Sequence, residues 1–284
     1  MSKLIVNADD FGLHSAVNAG IIDGHRIGII TSTSLLAGGD AFTEAVSMAK
    51  DNPKLGIGIH IALVGGLKPV CDPAEVPSLV TTEGVFPDSY VDFIKRIYSG
   101  KINYSELRKE IHAQMTQIVE TGLKVTHIDG HQHMHVLPTI LPIVIEQAKS
   151  FGINAIRIPD ESTSFINYIN SPARFLGKVG LSTVAANARP TVRNNNMLAT
   201  QYFWGMVNGG NINQKALIGI LKKVNNNSGT HELMVHPGIS NTILGKCYNW
   251  GYHWEDELHA LCSSHTRLYI RQHGIDLINY GDLI

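Results

Sequence analysis

Short apolar runs alternate with amphipathic stretches along the whole chain, and this rhythm predicts an architecture. "KLIVNA" is followed by a helical pattern over 15–26, and "IITSTSLLA" by another over 41–50. Further strand-like runs are "LGIGIHIAL", "KVTHID", "NAIRIP", "LSTVAAN", "TQYFWGMV", "HELMVHPG" and "IDLINY". The clearest remaining helical patterns lie at 104–121, 138–151, 214–225 and 254–273. Short, nearly continuous apolar strands separated by helices read as βαβ units of a parallel sheet. Seven or eight such units predict an α/β fold, a distorted (β/α) barrel of mainly parallel strands, rather than an open sheet. The Pro- and Gly-rich segment at 65–100 breaks the rhythm and reads as a long loop or lid over one end of the barrel. "VNNNSGTH" reads as a solvated turn. No internal repeat or linker divides the sequence, so a single domain over 1–284 is expected.

Composition narrows the function classes. A chain of 284 residues, 44% hydrophobic and 17% charged, buries a sizeable core and fits one α/β barrel. The net charge of -1, with no basic stripe, removes the electrostatic case for a nucleic-acid partner. Three widely spaced cysteines form neither a disulfide framework nor a CxxC metal pair. The opening "MSKLIVNADDFG" runs straight into a strand, without the features of a secretion signal. No run approaches the ~18 apolar residues of a membrane span. The expectation is a soluble, cytoplasmic protein with no membrane partner, and a homodimer is the default for such an enzyme.

One stretch carries unusual chemistry. In "HIDGHQHMH", His127, Asp129, His131, His133 and His135 fall at every second position. Along a strand that spacing puts every side chain on one face. Imidazole is the commonest metal ligand, so the row suggests a metal site, against a solvated His-rich loop.

Three other ionisable groups sit where strands end, the position of functional groups in a parallel barrel. "VNADDFG" carries Asp9 and Asp10, "IGIHIAL" carries His60, and "ELMVHPG" carries His236 before a Pro-Gly turn. Singly, each has a plain structural reading: a helix cap for Asp9 and Asp10, a satisfied core histidine for His60, a backbone hydrogen bond for His236. Four ionisable clusters at one end of one sheet point instead to a metal-centred active site. Of two neighbouring aspartates, one can ligate while the other takes a proton from water. A set of histidines and a carboxylate leaves positions open for water and substrate. A metal lowers the pKa of water and polarises an amide carbonyl, and a histidine near neutrality can protonate the departing amine. His133 and His135 are expected to line the pocket, with His127 and Asp129 orienting ligands from deeper in the strand.

Taken together, "IVNADDFG", "GIGIHIALVGG", "THIDGHQHMH", "ELMVHPG" and the closing "GIDLINYGDL" resemble the YdjC-like carbohydrate deacetylases. That family includes chitooligosaccharide deacetylases and is distantly related to the NodB-type polysaccharide deacetylases. The resemblance covers essentially the whole chain, with 162–196 the most idiosyncratic part. It implies a distorted barrel with its site at the C-terminal ends of the strands, one divalent metal ion (zinc or magnesium), and hydrolysis of an N-acetyl group on a sugar. By position, Asp10, His60 and His131 match the metal ligands, Asp9 the base and His236 the catalytic acid. Alternatives are a phosphoesterase or amidohydrolase, whose barrels place a His-x-His pair at the first strand where this chain has Asp-Asp. A glycoside hydrolase needs two carboxylates flanking the bond. A non-catalytic sugar-binding relative would need neither base nor acid.

Overall fold

The computed structural model describes residues 1–161 and 172–283, with side chains for all of these except 172–179. Its strands are β1 (Ser2–Phe11), β2 (Ser32–Leu35), β3 (Gly56–Ile61), β4 (Val125–Gly130), β5 (Tyr202–Trp204), β6 (Gly229–Val235) and β7 (Asp276–Leu277). The helices are α1 (Ser15–Arg26), α2 (Phe42–Lys50), α3 (Tyr90–Tyr98), α4 (Tyr104–Val119), α5 (Leu141–Ser150) and α6 (Pro172–Asn194), then α7 (Gln214–Asn226), α8 (Asn241–Cys247), α9 (Trp254–Cys262) and α10 (Ser264–Gln272). The strands form one sheet in the order β4-β3-β2-β1-β6-β5, with β7 beside β1, and every pairing is parallel. Single bridges Ile128↔Ile156 and Ala155↔Leu198 continue the curl from β4 towards the segment that leads into β5. "NAIRIP" therefore contributes bridges rather than a strand.

The period-two alternation of β1 sorts its side chains. Leu4, Val6 and Ala8 belong to the large core shared with the helices, whereas Ile5 joins Ala155, Ile278, Tyr280 and Leu283 inside the curl. Above Ile5, on the same face, come Asn7 and Asp9, both buried. A parallel barrel normally fills its centre with branched apolar side chains. Here polar residues take the upper layers.

Some expected elements differ. "LSTVAAN" lies inside α6, not in a strand. The small apolar residues of α6 follow a helical period, with Ala185 of this stretch and Ala188 and Val192 beyond it buried, and alanine is the best helix former. The pattern at 254–273 is two helices, because Ser263 is extended and its hydroxyl caps α10 at the His265 amide. Segment 65–100 contains α3, capped by Ser89. The stems of this segment are zipped together, Gly65 N–H donating to Pro87 and Phe86 N–H to Leu67. Residues 162–171 of the idiosyncratic stretch lie outside the described residues. Among the described residues no helix is long and apolar enough to cross a membrane.

Candidate active site

Successive side chains of a strand point to opposite faces, yet Asp9 and Asp10 are both buried at the C-terminal end of β1. The backbone at Asp10 resolves the conflict: its φ is 68°, and the β1–β2 register shifts between Ala8 and Phe11. This left-handed kink, open to aspartate at modest strain, turns both carboxylates into the site. A second kink reshapes the histidine row. β4 ends at Gly130, and His131–Val136 form a tight turn in which Gln132 (φ 50°) and His133 (φ 62°) are left-handed. The row is therefore not one face of a strand. His127 and Asp129 remain in β4, while His131, His133 and His135 fan out from the turn.

The structure brings Asp10, His60 and His131 together. Asp10 Oδ1 lies 3.0 Å from His131 Nδ1 and 3.4 Å from His60 Nε2. The other nitrogen of His60, Nδ1, is 2.7 Å from Asp129 Oδ1 and donates to it. In a neutral imidazole this leaves a lone pair on Nε2, facing the lone pairs of Asp10. Nε2 is buried and has no hydrogen-bond partner. Such a contact demands positive charge between the two atoms. Without a cation the proton serves: burial depresses His60, but Asp129, Asp10 and Asp9 outweigh it and raise its pKa to about 10. Burial likewise acts against ionised Asp10, and His131 and His60 overcome it, holding its carboxyl well below the usual range. The donor set of two imidazoles and a carboxylate fits a divalent ion. Asp9, His60 and Asp129 also converge, but Asp9 and Asp129 already accept hydrogen bonds or ion pairs from Arg157, which disfavours a cation there.

Arg157 is fully buried and occupies the centre of the curl. Its guanidinium reaches Asp9 through two nitrogens at 2.7 and 2.6 Å, Asp129 at 2.8 Å and Glu232 at 2.8 Å. The bidentate fork fixes the orientation of the Asp9 carboxylate. Ser34 Oγ donates to Asp129 at 2.7 Å, and Asn7 Nδ2 donates to Asp9 at 2.9 Å. Beneath, the Tyr280 hydroxyl donates to Glu232, whose pKa burial raises to about 7 against the pull of Arg157. His127 stacks on Tyr280 at 3.8 Å between ring centroids, and its Nε2 lies 3.3 Å from Ser34 Oγ, the hydroxyl that donates to Asp129. His135 donates from Nε2 to the Arg157 carbonyl (3.0 Å), holding the turn against the arginine strand. His133 packs edge-on to Phe203, with its pKa lowered by burial.

His236 follows β6 and is buried, with Nδ1 lacking a hydrogen-bond partner. Burial lowers its pKa, while Asp9 and Asp10 act on it in the opposite sense, so it lies within electrostatic reach of both aspartates. Gly65, at the foot of the 65–100 segment, borders the site as well: φ is +88°, and a Cβ there would stand 2.7 Å from His131 Nε2.

The family profile described as "YdjC-like protein" matches residues 3–272. The chain belongs to the YdjC-like family. It is 31% identical to a carbohydrate deacetylase of Clostridium beijerinckii, over 99% of this chain and 100% of that one. A carbohydrate deacetylase of Brevibacillus brevis is 30% identical, over 99% of both chains. A crystal structure from Enterococcus faecalis V583, named for cellobiose-phosphate cleavage, superposes with a TM-score of 0.78 at 27% identity, covering 98% of this chain and 97% of that one.

In this YdjC-like protein, sequence reasoning missed the groups that hold the site. Arg157 interrupts an apolar run, and a charge at such a position was the available signal. Glu257, on α9, had none. Its buried carboxylate accepts the His236 amide (2.5 Å) and the Ile212 amide (2.9 Å), clamping the Pro-Gly turn. Burial raises its pKa to about 7, against the amides that favour the ionised form. Glu257→Gln turns an amide NH₂ or a single carbonyl towards those donors. The expected result is a loss of about 1–3 kcal/mol in urea unfolding. Turnover falls with metal content unchanged, because only His236 is displaced. Unaltered stability and turnover would show that the clamp is dispensable.

Proposed function

We propose that this protein hydrolyses the N-acetyl group of an amino sugar or short chitooligosaccharide, at a divalent-ion centre held by Asp10, His60 and His131. The observation that carries this reading is the His60 contact: one nitrogen locked by Asp129, the other facing Asp10 at 3.4 Å with no hydrogen-bond partner, in a chain whose full-length relatives are named carbohydrate deacetylases. Zinc or magnesium is the ion, histidine ligation favouring the former. When bound, such an ion polarises the amide carbonyl and acidifies water.

The protein's own residues handle the protons. Asp9, aimed by Arg157, takes a proton from water as the oxygen attacks the acetyl carbon. His236 gives a proton to the amide nitrogen as the C–N bond breaks, so acetic acid, which ionises to acetate in solution, and a neutral amine leave. That leaves one proton gained on Asp9 and one lost from His236, and exchange with solvent resets both. Burial weakens the hold of His236 on its proton, and Asp9 and Asp10 act in the opposite sense. The 65–100 segment, which begins against His131, closes over the sugar and excludes water. Three free cysteines agree with a reducing, cytoplasmic setting. Cleavage of a glycosidic bond would need two carboxylates flanking it with one free to protonate the leaving oxygen. Here Asp9 and Glu232 are held by Arg157, and Asp10 by two histidines.

Acetate release from N-acetylglucosamine, chitobiose and longer oligomers, each with zinc, cobalt or magnesium, tests the reading. Activity should vanish on chelation and return with added ion. His60→Ala and His131→Ala should each lose most of the ion by elemental analysis, whereas His133→Ala and His135→Ala should retain it. Full occupancy in the first pair would overturn the ligand assignment, and no acetate from any sugar would overturn the activity.

A further inference from the structure

The segment "YNWGYHW" sets Tyr248, Trp250, Tyr252 and Trp254 at every second position, the period of an extended chain. Their rings touch in series, with centroids 4.8, 5.6 and 5.5 Å apart. The row runs beside the catalytic groups. Trp250 lies 5.2 Å from the His131 ring, and Tyr252 lies 4.8 Å from the His236 ring.

This row is anchored at its ends and half-buried in its middle. Trp254 is buried, and its carbonyl accepts the Gly238 amide. Tyr252 lies flat against Gly210, where a Cβ would fall 2.1 Å from the ring. The Tyr248 hydroxyl donates to the Leu13 carbonyl, at the loop after β1. Trp250 stands between two pinned neighbours and the metal-site histidine, and is half-buried itself. An indole placed this way has lost its rotamer freedom in advance, yet keeps surface for a ligand.

We propose that Trp250 is the platform on which the substrate's pyranose ring stacks, so that its N-acetyl group enters between His131 and His236. This rests on the deacetylase reading and assigns the residue that recognises the sugar ring, against an acyclic N-acetyl amine. A pyranose presents polarised axial C–H bonds on its flat face, and the negative face of the indole quadrupole attracts them. An acyclic amide has no such face. The platform thus makes ring recognition separate from the amide chemistry, which lies with Asp9, Asp10, His60, His131 and His236.

The test compares Trp250→Ala and Trp250→Phe, with metal content and melting temperature measured for each. Substrates are N-acetylglucosamine and N-acetylethanolamine, which carry the same amide with and without a ring. In Trp250→Ala, kcat/KM on the sugar should fall about tenfold, mainly through KM. On N-acetylethanolamine the fall should be less than about twofold, and Trp250→Phe should recover part of the sugar loss. Equal losses on both substrates would make Trp250 structural only and overturn the platform, while leaving the deacetylase reading intact. A readout independent of turnover is the fluorescence shift on titration with glucosamine, expected in the parent protein and absent from Trp250→Phe. If no sugar yields acetate, the activity reading falls and this titration still decides. A shift that survives Trp250→Phe overturns the platform, and one that disappears sustains it. Should Trp250→Ala fail to fold, Trp250→Phe and Trp250→Leu carry the comparison.

Discussion

Arg157→Ala is expected to destabilise the protein by about 3–5 kcal/mol, the penalty for leaving buried charge uncompensated. The guanidinium is wholly buried and is shared by Asp9, Asp129 and Glu232. Removing it leaves those carboxyl groups facing one another inside the curl, with His60 the nearest remaining cation for Asp129. Arg157→Lys should fall between the variant and the parent, because one ammonium cannot reproduce a fork that serves three partners. For a domain of this size the alanine variant should melt on the order of 10 °C lower. The deficit should also depend on pH. Arg157 is the leading cause that holds Asp129 below the usual carboxylate range, ahead of His60 and against burial. A depressed carboxylate stabilises the fold above its unfolded pKa and ceases to do so as pH falls towards its folded value. Without the guanidinium the carboxyls bind protons at higher pH, so the gap between parent and variant should narrow on acidification. Urea unfolding at two pH values measures this. A loss below about 1 kcal/mol, or a gap that widens in acid, would mean that Arg157 is not what balances the cluster.

Asp9→Asn should reduce turnover by about 10²–10⁴-fold with the ion retained, the usual range for removing a positioned base. The amide keeps the shape and can still meet part of the Arg157 fork, but it takes no proton from water. His236→Ala should cost a comparable factor on an N-acetyl sugar, also without loss of ion. An activated aryl acetate separates the two roles, because its phenolate leaves unprotonated. On that ester His236→Ala should recover most of its rate. Asp9→Asn should remain impaired, since water must still be deprotonated. Equal recovery of both variants would refute separate base and acid roles. Loss of ion in Asp9→Asn would instead place that carboxylate among the ligands.

Several features were legible in one dimension because they depend on local chemistry. The alternation of apolar strands and helices is written residue by residue, and it led to a curled parallel sheet with α1, α2, α4 and α7 close to the expected positions. The ionisable residues at strand ends were visible because a lone charge in an apolar run stands out. "VNADDFG", "IGIHIAL" and "HIDGHQHMH" do bring Asp10, His60 and His131 together. Helix against strand in "LSTVAAN" was not legible, since small apolar residues satisfy either period until a neighbouring layer buries one face.

The sequence alone determined the layered α/β architecture, the family and the residue types available for chemistry, since these follow from periodicity and motif. Only the tertiary structure decided how those residues are used. Left-handed turns at Asp10, Gln132 and His133 are choices the backbone makes under the packing around it, and they overrule the alternation that a strand would impose. Arg157 meets Asp9 across 148 positions of sequence, and Tyr280 meets Glu232 across 48. Glu257 reaches the His236 amide across 21. No local pattern encodes such partnerships. They exist because a buried charge must find its opposite, and only the curl of the sheet brings those groups within hydrogen-bond range.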